Sequence, residues 1–116
     1  MKKDILKRAR GEKMTSCNCN LNIHYTAPDE VWDKIAKLYQ EMPEWQGIKN
    51  GIPYWFSKSE SGKYLCASVE PGGLQFRGEL EPEEWQQWLT LFRKKASDYL
   101  GYEIGEPEDG YDFVYY

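Results

Sequence analysis

Apolar and polar residues alternate along two stretches of the chain, residues 20–25 and residues 111–116. In the first stretch Leu21, Ile23 and Tyr25 fall on one side of an extended backbone, with polar residues on the other. Alternation with a period of two is typical of a strand that buries one face. The pattern therefore predicts a strand at the start of the folded part and an edge strand at the end of the chain.

A helix is predicted directly after the first strand. Thr26, Pro28 and Asp29 form a helix-start signal, and an acidic residue in the first turn suits the positive end of the helix dipole. Pro43 disfavours helical geometry in the residue before it, so the helix is predicted to end there. Its apolar residues recur three and four positions apart, which predicts one face packed on a core; they are Val31, Trp32, Ile35, Leu38, Tyr39 and Met42.

A second helix is predicted in the last third of the chain. Pro82 suits the first helical turn, and Gly101 suits the position just past the end. Acidic residues cluster at its start, where the helix dipole favours them. The apolar stripe of this helix consists of Trp85, Trp88, Leu89, Phe92, Ala96, Tyr99 and Leu100.

Two strands are predicted between the helices, at residues 52–58 and 63–70. The small polar residues and the glycine of residues 59–62 suit a hairpin turn between them. Residues 44–51, which precede the first of these strands, are interpreted as a connection. The pattern thus predicts two antiparallel strands, the first of which is preceded by a loop.

A third strand follows at once. Pro71 and Gly72 suit a type II turn, and residues 74–80 beyond it alternate again. The element order is therefore β-α-β-β-β-α-β. Three strands in an uninterrupted meander favour an α+β fold, in which an antiparallel sheet of four to five strands carries both helices on one face.

The length of 116 residues, with 41% hydrophobic and 29% charged residues, is that of one soluble domain. No apolar run approaches the roughly 20 residues that a membrane span requires. Residues 1–13 lack the apolar centre of a secretory signal. These features predict a flexible basic extension over residues 1–19, a single α+β domain over residues 20–116, a cytoplasmic location and no contact with a membrane.

Charge is distributed unevenly along the chain. Residues 1–13 hold six basic and two acidic residues, whereas the remainder holds nine basic and seventeen acidic residues. An acidic body repels phosphate backbones, so nucleic-acid binding by the folded part is not expected. The expected partner is a basic protein.

Candidate catalytic and metal-binding residues are few. His24 is the single histidine, and Cys17 and Cys19 form a Cys-x-Cys pair with Cys66 distant in sequence. A zinc site usually takes four nitrogen or sulfur ligands at regular spacing. The sequence also lacks the common phosphate-binding, dinucleotide-binding and hydrolase motifs. We therefore expect no enzymatic activity, no cofactor and no metal.

Most of the acidic excess lies in residues 79–116, which hold ten acidic and three basic residues. Tyrosines are interleaved with the acids near the end of this stretch. A six-residue strand buries one face only, so some of these rings are expected to be exposed. Such tyrosines could instead cover the helices at the margin of the core. The predicted partner-binding residues are Tyr102, Glu103, Glu106, Glu108, Asp109, Tyr111, Asp112, Tyr115 and Tyr116.

Two functions from different classes are compatible with these features. The first is a non-enzymatic interaction domain whose acidic, aromatic face binds a basic protein, as an inhibitor or immunity protein of a nuclease-like toxin would. The carboxylates of this domain would occupy the site where the toxin binds its polyanionic substrate. The alternative is a small-ligand binding or regulatory domain with a pocket between sheet and helices, lined by Trp32, Trp55, Trp85 and Trp88.

Overall fold

A computed structural model describes residues 13–114 and residue 116. These residues form two helices and one five-stranded antiparallel sheet, which confirms the predicted α+β class. Neither helix of this described part is long and apolar enough to cross a membrane. The elements are β1 (Thr15–Leu21), α1 (Asp29–Glu41), β2 (Trp45–Lys49), β3 (Ile52–Trp55), β4 (Tyr64–Glu70), β5 (Gly73–Leu80), α2 (Pro82–Leu100) and a short 3-10 helix (Pro107–Asp109).

The sheet places the first strand beside the last one. Its strand order is β1-β5-β4-β3-β2, and every neighbouring pair is antiparallel. β1 pairs with β5 over its whole length, from Thr15 opposite Leu80 to Leu21 opposite Leu74. The residues that follow β1 therefore lie beside the turn that precedes β5.

Both helices pack on the same face of the sheet. Alternate strand residues on that face join the inner residues of α1 and α2 in one apolar cluster. At its centre, the ring centroids of Trp55 and Trp88 are 5.1 Å apart and those of Phe76 and Phe92 are 4.9 Å apart, in edge-to-face geometry. The helical stripes predicted from the sequence are confirmed by the burial of Val31, Ile35, Leu38, Trp88, Leu89, Phe92 and Ala96.

The opposite face of the sheet is mostly polar. Tyr54 and Cys66 lie opposite each other there and are nevertheless buried. The loop between β3 and β4 contributes to this burial, since Tyr54 Oη donates to Glu60 Oε2 at 2.6 Å. Arg77 of β5 donates to Glu60 Oε1 at 3.3 Å. A small polar network therefore ties this loop to the sheet.

Residues 44–51, expected to be a connection, contain strand β2. β2 and β3 are joined by Asn50 and Gly51, whose φ angles of 54° and 80° are typical of a type I′ hairpin turn. The Asn-Gly signal for this turn is visible in the sequence. The strand before it is less visible, because Gly47 sits at a bulge with a φ of 103° and interrupts the alternation.

The two terminal strands also differ from expectation. β1 covers Thr15–Leu21 rather than residues 20–25, so the sheet begins five residues before the predicted domain boundary. In the described part of the chain end, residues 111–114 and 116, the predicted edge strand is not formed. Residues 1–12 of the predicted extension and Tyr115 lie outside the described residues.

Candidate partner-binding surface

The predicted partner-binding residues that the structure describes, all but Tyr115, lie on one segment after α2, here named the acidic tail (residues 102–114 and 116). α2 ends at Leu100, and the left-handed φ of 81° at the next residue, Gly101, turns the chain out of the helix. The tail then passes the end of β1, where the N–H of Asn22 donates to the carbonyl oxygen of Gly105 at 2.9 Å. The tail is thus attached to the sheet by backbone hydrogen bonding.

Asn22 holds the acidic tail in place. Its side chain is 1% exposed, and its amide nitrogen donates to the carbonyl oxygens of Glu103 and Asp112 at 3.0 and 2.9 Å. Its side-chain oxygen accepts from the N–H of Gly105 at 2.8 Å. Because an unpaired buried donor or acceptor costs about 1–3 kcal/mol, this matched set is stabilising. One side chain therefore closes the tail into a loop.

Tyr102 and Tyr116 meet beside this loop. The hydroxyl of Tyr102 donates to the backbone oxygen of Asn22 at 3.4 Å, and its ring packs against the core. The hydroxyl of Tyr116 donates to that of Tyr102 at 3.1 Å, while 58% of Tyr116 remains exposed. Tyr102 is therefore an attachment residue, and Tyr116 is open to a partner.

Tyr111 fastens the middle of the tail to α2. Its ring centroid lies 5.2 Å from the guanidinium of Arg93, a cation–π contact. Arg93 Nε also donates to the carbonyl oxygen of Ile104 at 3.0 Å. The ring is so close to Gly105 that a Cβ there would lie 2.4 Å from it. Tyr111 is half-buried as a result and contributes more to attachment than to an open surface.

The carboxylates of the acidic tail are available to solvent. Within the described residues, both ion pairs lie elsewhere, on the polar sheet face and beside the start of α2. The tail therefore presents negative charge that no described residue neutralises by direct contact. Its exposed acidic residues are Glu103, Glu108, Asp109 and Asp112, and Glu106 is half-buried.

Glu106 is the most perturbed acid of the tail. Its partial removal from water, followed by the charges of Asp109 and Glu108, raises its pKa above the usual 4.5. Arg93 acts in the opposite direction with a smaller effect. Partial burial and the neighbouring carboxylates thus both disfavour the charged form of Glu106.

The thiols and the histidine have structural surroundings. Cys17, Cys19 and Cys66 are free and buried. Burial raises the pKa of Cys17 to about 11 and that of Cys19 to about 12, which makes both poor nucleophiles at neutral pH. The ring of His24 stacks on Tyr25 and meets the edge of Phe113. In the part of the chain that the structure describes, no group of three His, Cys, Asp or Glu residues could hold a metal ion.

The four tryptophans of the alternative hypothesis do not share one environment. Trp55 and Trp88 are buried against each other, and Trp85 stacks beside Trp88 at 6.5 Å. These rings occupy the space between sheet and helices. Trp32 instead lines an open groove of about 440 Å³ between α1 and strands β3 and β4, together with Tyr39 and Ile52.

Comparison of the chain with known protein families, curated proteins and solved structures found no match. The described members of the predicted set are held on one closed loop, but the residue that closes it, Asn22, is not among those predicted. In the sequence Asn22 occupies a polar position of an expected strand. Only the position of the tail reveals that this side chain is buried and fully bonded.

Proposed function

We propose that this protein is a non-enzymatic interaction domain that binds a basic protein through the acidic tail. In its specific form the partner is a nuclease-like toxin, and this chain is its inhibitor or immunity protein. The observation that carries the proposal is a loop, closed by Asn22, whose carboxylates make no ion pair among the described residues. The loop acids are Glu103, Glu106, Glu108, Asp109 and Asp112.

Preorganisation of the loop favours tight binding. Ordering one flexible residue costs about 1–2 kcal/mol of conformational entropy, and a disordered acidic tail would lose this free energy on binding. The bonds from Asn22 to Glu103, Gly105 and Asp112 are made in the free protein. The partner therefore meets carboxylates that are already in position.

Electrostatics favours a cationic partner in particular. Clustered charge of one sign raises the rate of encounter with the opposite charge and disfavours partners of like charge. Partial burial, and then the charges of Asp109 and Glu108, raise the pKa of Glu106, and a lysine or arginine placed nearby would offset the effect of those charges. Binding of such a partner should therefore lower the pKa of Glu106 and release protons at mildly acidic pH.

Few of the tail tyrosines are free to contact a partner. Tyr102 and Tyr111 are largely engaged with the body of the protein, through Asn22 and Arg93 respectively. Tyr116 is the exposed ring of the described tail. In the proposed complex the carboxylates steer the partner, and Tyr116 supplies an apolar contact at the margin.

Affinity capture from an extract of the native host tests the proposal. The baits are the wild-type protein, a tail variant that combines Glu106→Gln, Glu108→Gln and Asp109→Asn, and a control. The control combines Glu30→Gln, Asp33→Asn and Asp98→Asn, which are exposed positions outside the tail. It changes the net charge by the same amount. Capture is compared at low and high salt, with mass spectrometry of the retained proteins.

We expect the wild-type and control baits to retain one basic protein at low salt. The tail variant should lose this protein. High salt should release it from all baits, because exposed charge pairs are screened. Equal retention of every captured protein by the tail variant and the wild type would refute the tail as the binding surface. Capture of no basic protein would refute the partner class.

A small-ligand binding or regulatory domain is the second candidate. It is favoured by the groove of about 440 Å³ that Trp32 lines with Tyr39 and Ile52. A ligand there should quench or shift the emission of Trp32, since this ring is half-buried. Fluorescence screening against metabolites, with Trp32→Phe as the control, tests it; a response that persists in Trp32→Phe would place the ligand elsewhere.

A further inference from the structure

A groove of about 310 Å³ lies between the first half of α2 and the segments that enter β2 and leave β3. Phe56, Trp88 and Leu91 give it an apolar floor, and the carboxylates of Glu44 and Glu84 border it. Trp88 is buried, Phe56 and Leu91 are half-buried, and Glu44 is exposed. The groove combines an accessible apolar surface with negative charge at its margin.

The backbone around this groove is strained. Glu44 and Phe56 have left-handed φ angles of 69° and 72°, and the N–H of Phe56 donates to the carbonyl oxygen of Glu44 at 2.8 Å. This conformation costs a non-glycine residue about 1–2 kcal/mol. The indole of Trp88 donates to the carbonyl oxygen of Pro43 at 3.2 Å and helps to hold the segment. Strain of this kind gathers at binding and active sites, where the surroundings maintain it.

A cation of the protein itself already lies at this groove. The Nζ atom of Lys63 is 6.0 Å from the ring centroid of Phe56 and 2.9 Å from Glu84 Oε2. An ammonium group thus contacts both an aromatic face and a carboxylate of the groove. Glu44 makes no ion pair within the described residues. The second carboxylate is therefore available to a cation from outside the chain.

We propose that this groove receives a lysine or arginine side chain of a basic partner, with the aliphatic stem on Phe56 and Leu91 and the charged end at Glu44. Lysine and arginine are amphipathic, so they match an apolar floor with an acidic margin. The nature of the partner rests on the proposed function. The preference of the groove for a cationic side chain can be tested without that partner.

The groove and the acidic tail lie towards opposite ends of α2. Glu84 lines the groove, and the hydroxyl of Ser97 accepts from the N–H of Ile104 in the tail. These two residues are 13 positions apart on α2, which corresponds to about 20 Å along the helix. They also lie about 140° apart around the helix axis, so a partner that covers both must curve around the exposed side of α2. For such a partner the groove would provide an apolar anchoring site. The tail tyrosines largely cannot, because Tyr102 and Tyr111 pack against the body of the protein.

The test is an NMR titration of the ¹⁵N-labelled full chain with N-acetyl-arginine amide. N-acetyl-citrulline amide is the matched probe, because it has nearly the same shape without the charge. We expect arginine to shift the amide signals of Phe56 and Leu91 and the indole signal of Trp88. Since an exposed ion pair contributes about 0.2–1 kcal/mol, citrulline should bind about 1.4- to fivefold more weakly.

Glu44→Gln should reduce the affinity for arginine to that for citrulline, and Glu30→Gln on α1 should leave it unchanged. Equal shifts from both probes, or no shift at Phe56, Leu91 and Trp88, would overturn the proposal. The tail variant should keep the arginine response. If the tail variant loses the captured partner but keeps the arginine response, the tail and the groove are supported separately. Failure of the capture experiment would contradict the proposed function, and failure of the titration would contradict the groove proposal.

Discussion

Asn22 and Gly105 are joined by a reciprocal pair of hydrogen bonds, from the N–H of Asn22 to the carbonyl of Gly105 at 2.9 Å and from the N–H of Gly105 to Asn22 Oδ1 at 2.8 Å. These residues are 83 positions apart in the chain. The pair joins the end of β1 to the segment after α2. It makes the acidic tail part of the fold, and the proposed binding surface depends on it.

Asn22→Ala should release the acidic tail. The change removes two donated bonds and one accepted bond from a buried side chain, so we expect a loss of about 3 kcal/mol in the free energy of unfolding. Hydrogen exchange at the Gly105 amide should accelerate more than exchange in the core. Asn18→Ala, at an exposed position of β1, is the control. Unchanged protection of Gly105 would show that Asn22 does not hold the tail.

Glu106→Gln should stabilise the protein at neutral pH. Burial and neighbouring acids raise the pKa of Glu106 in the folded state, so its proton is bound more tightly there than in the unfolded chain. The free energy of unfolding of the wild-type protein therefore falls as the pH rises from about 4.5 through the pKa of Glu106 in the folded state. Glu106→Gln has no carboxyl group to titrate and avoids this loss. We expect a gain of less than about 1 kcal/mol, because the group is partly exposed. Denaturant unfolding at pH 3.5 and 7 measures it; a variant less stable than wild type at pH 7 contradicts the assignment.

Glu60→Gln should have the opposite effect. The hydrogen bond from Tyr54, and then that from Arg77, lowers the pKa of Glu60 below the usual 4.5. The resulting stability is present above that value and is lost as pH falls through the folded pKa. The loss in the variant at pH 7 should stay below about 1 kcal/mol, since both ion-pair partners are well exposed. In Tyr54→Phe the carboxyl of Glu60 should titrate closer to 4.5 by NMR, and an unchanged titration would exclude the Tyr54 bond as the main cause.

The three thiols should resist alkylation in the folded protein. Cys17, Cys19 and Cys66 are each at most 3% exposed, and burial raises the pKa of every one of them. Iodoacetamide at pH 8 should label them only after denaturation, as counted by intact mass. Rapid labelling of any one of them in the native protein would show that the sheet opens locally.

Most of the fold could be predicted from the sequence, because the apolar stripes and helix-end residues mark the same elements that pack in the structure. The stripe of α2 is unambiguous, and the Pro82 start and Gly101 end mark its limits. β2 could not be recognised, since the bulge at Gly47 breaks the period on which strand prediction depends. The prediction misses the start of β1, because the alternation of Cys17 and Cys19 with polar residues indicates a strand only when a free thiol counts as apolar.

The sequence identifies the segment of the candidate site but not the structure of that segment. Charge density identifies the tail, because counting acids requires no coordinates. The roles of Tyr102 and Tyr111 depend on Asn22 and Arg93, which are distant along the chain or belong to another element. Alternation in residues 111–116 predicted a strand, but the tail instead bonds to Asn22 through isolated backbone groups. Such long-range contacts leave no periodic trace in a sequence.

The central claim is that the acidic tail binds a basic protein through its charges. Its most direct test is the dissociation constant of the complex with the captured basic protein, measured by calorimetry at several salt concentrations. Wild type should bind more weakly as salt rises. The tail variant with Glu106→Gln, Glu108→Gln and Asp109→Asn should bind about tenfold more weakly at low salt and respond less to salt, since three exposed charges contribute about 0.5 kcal/mol each. Equal dissociation constants and equal salt dependence for the tail variant and wild type would contradict the account.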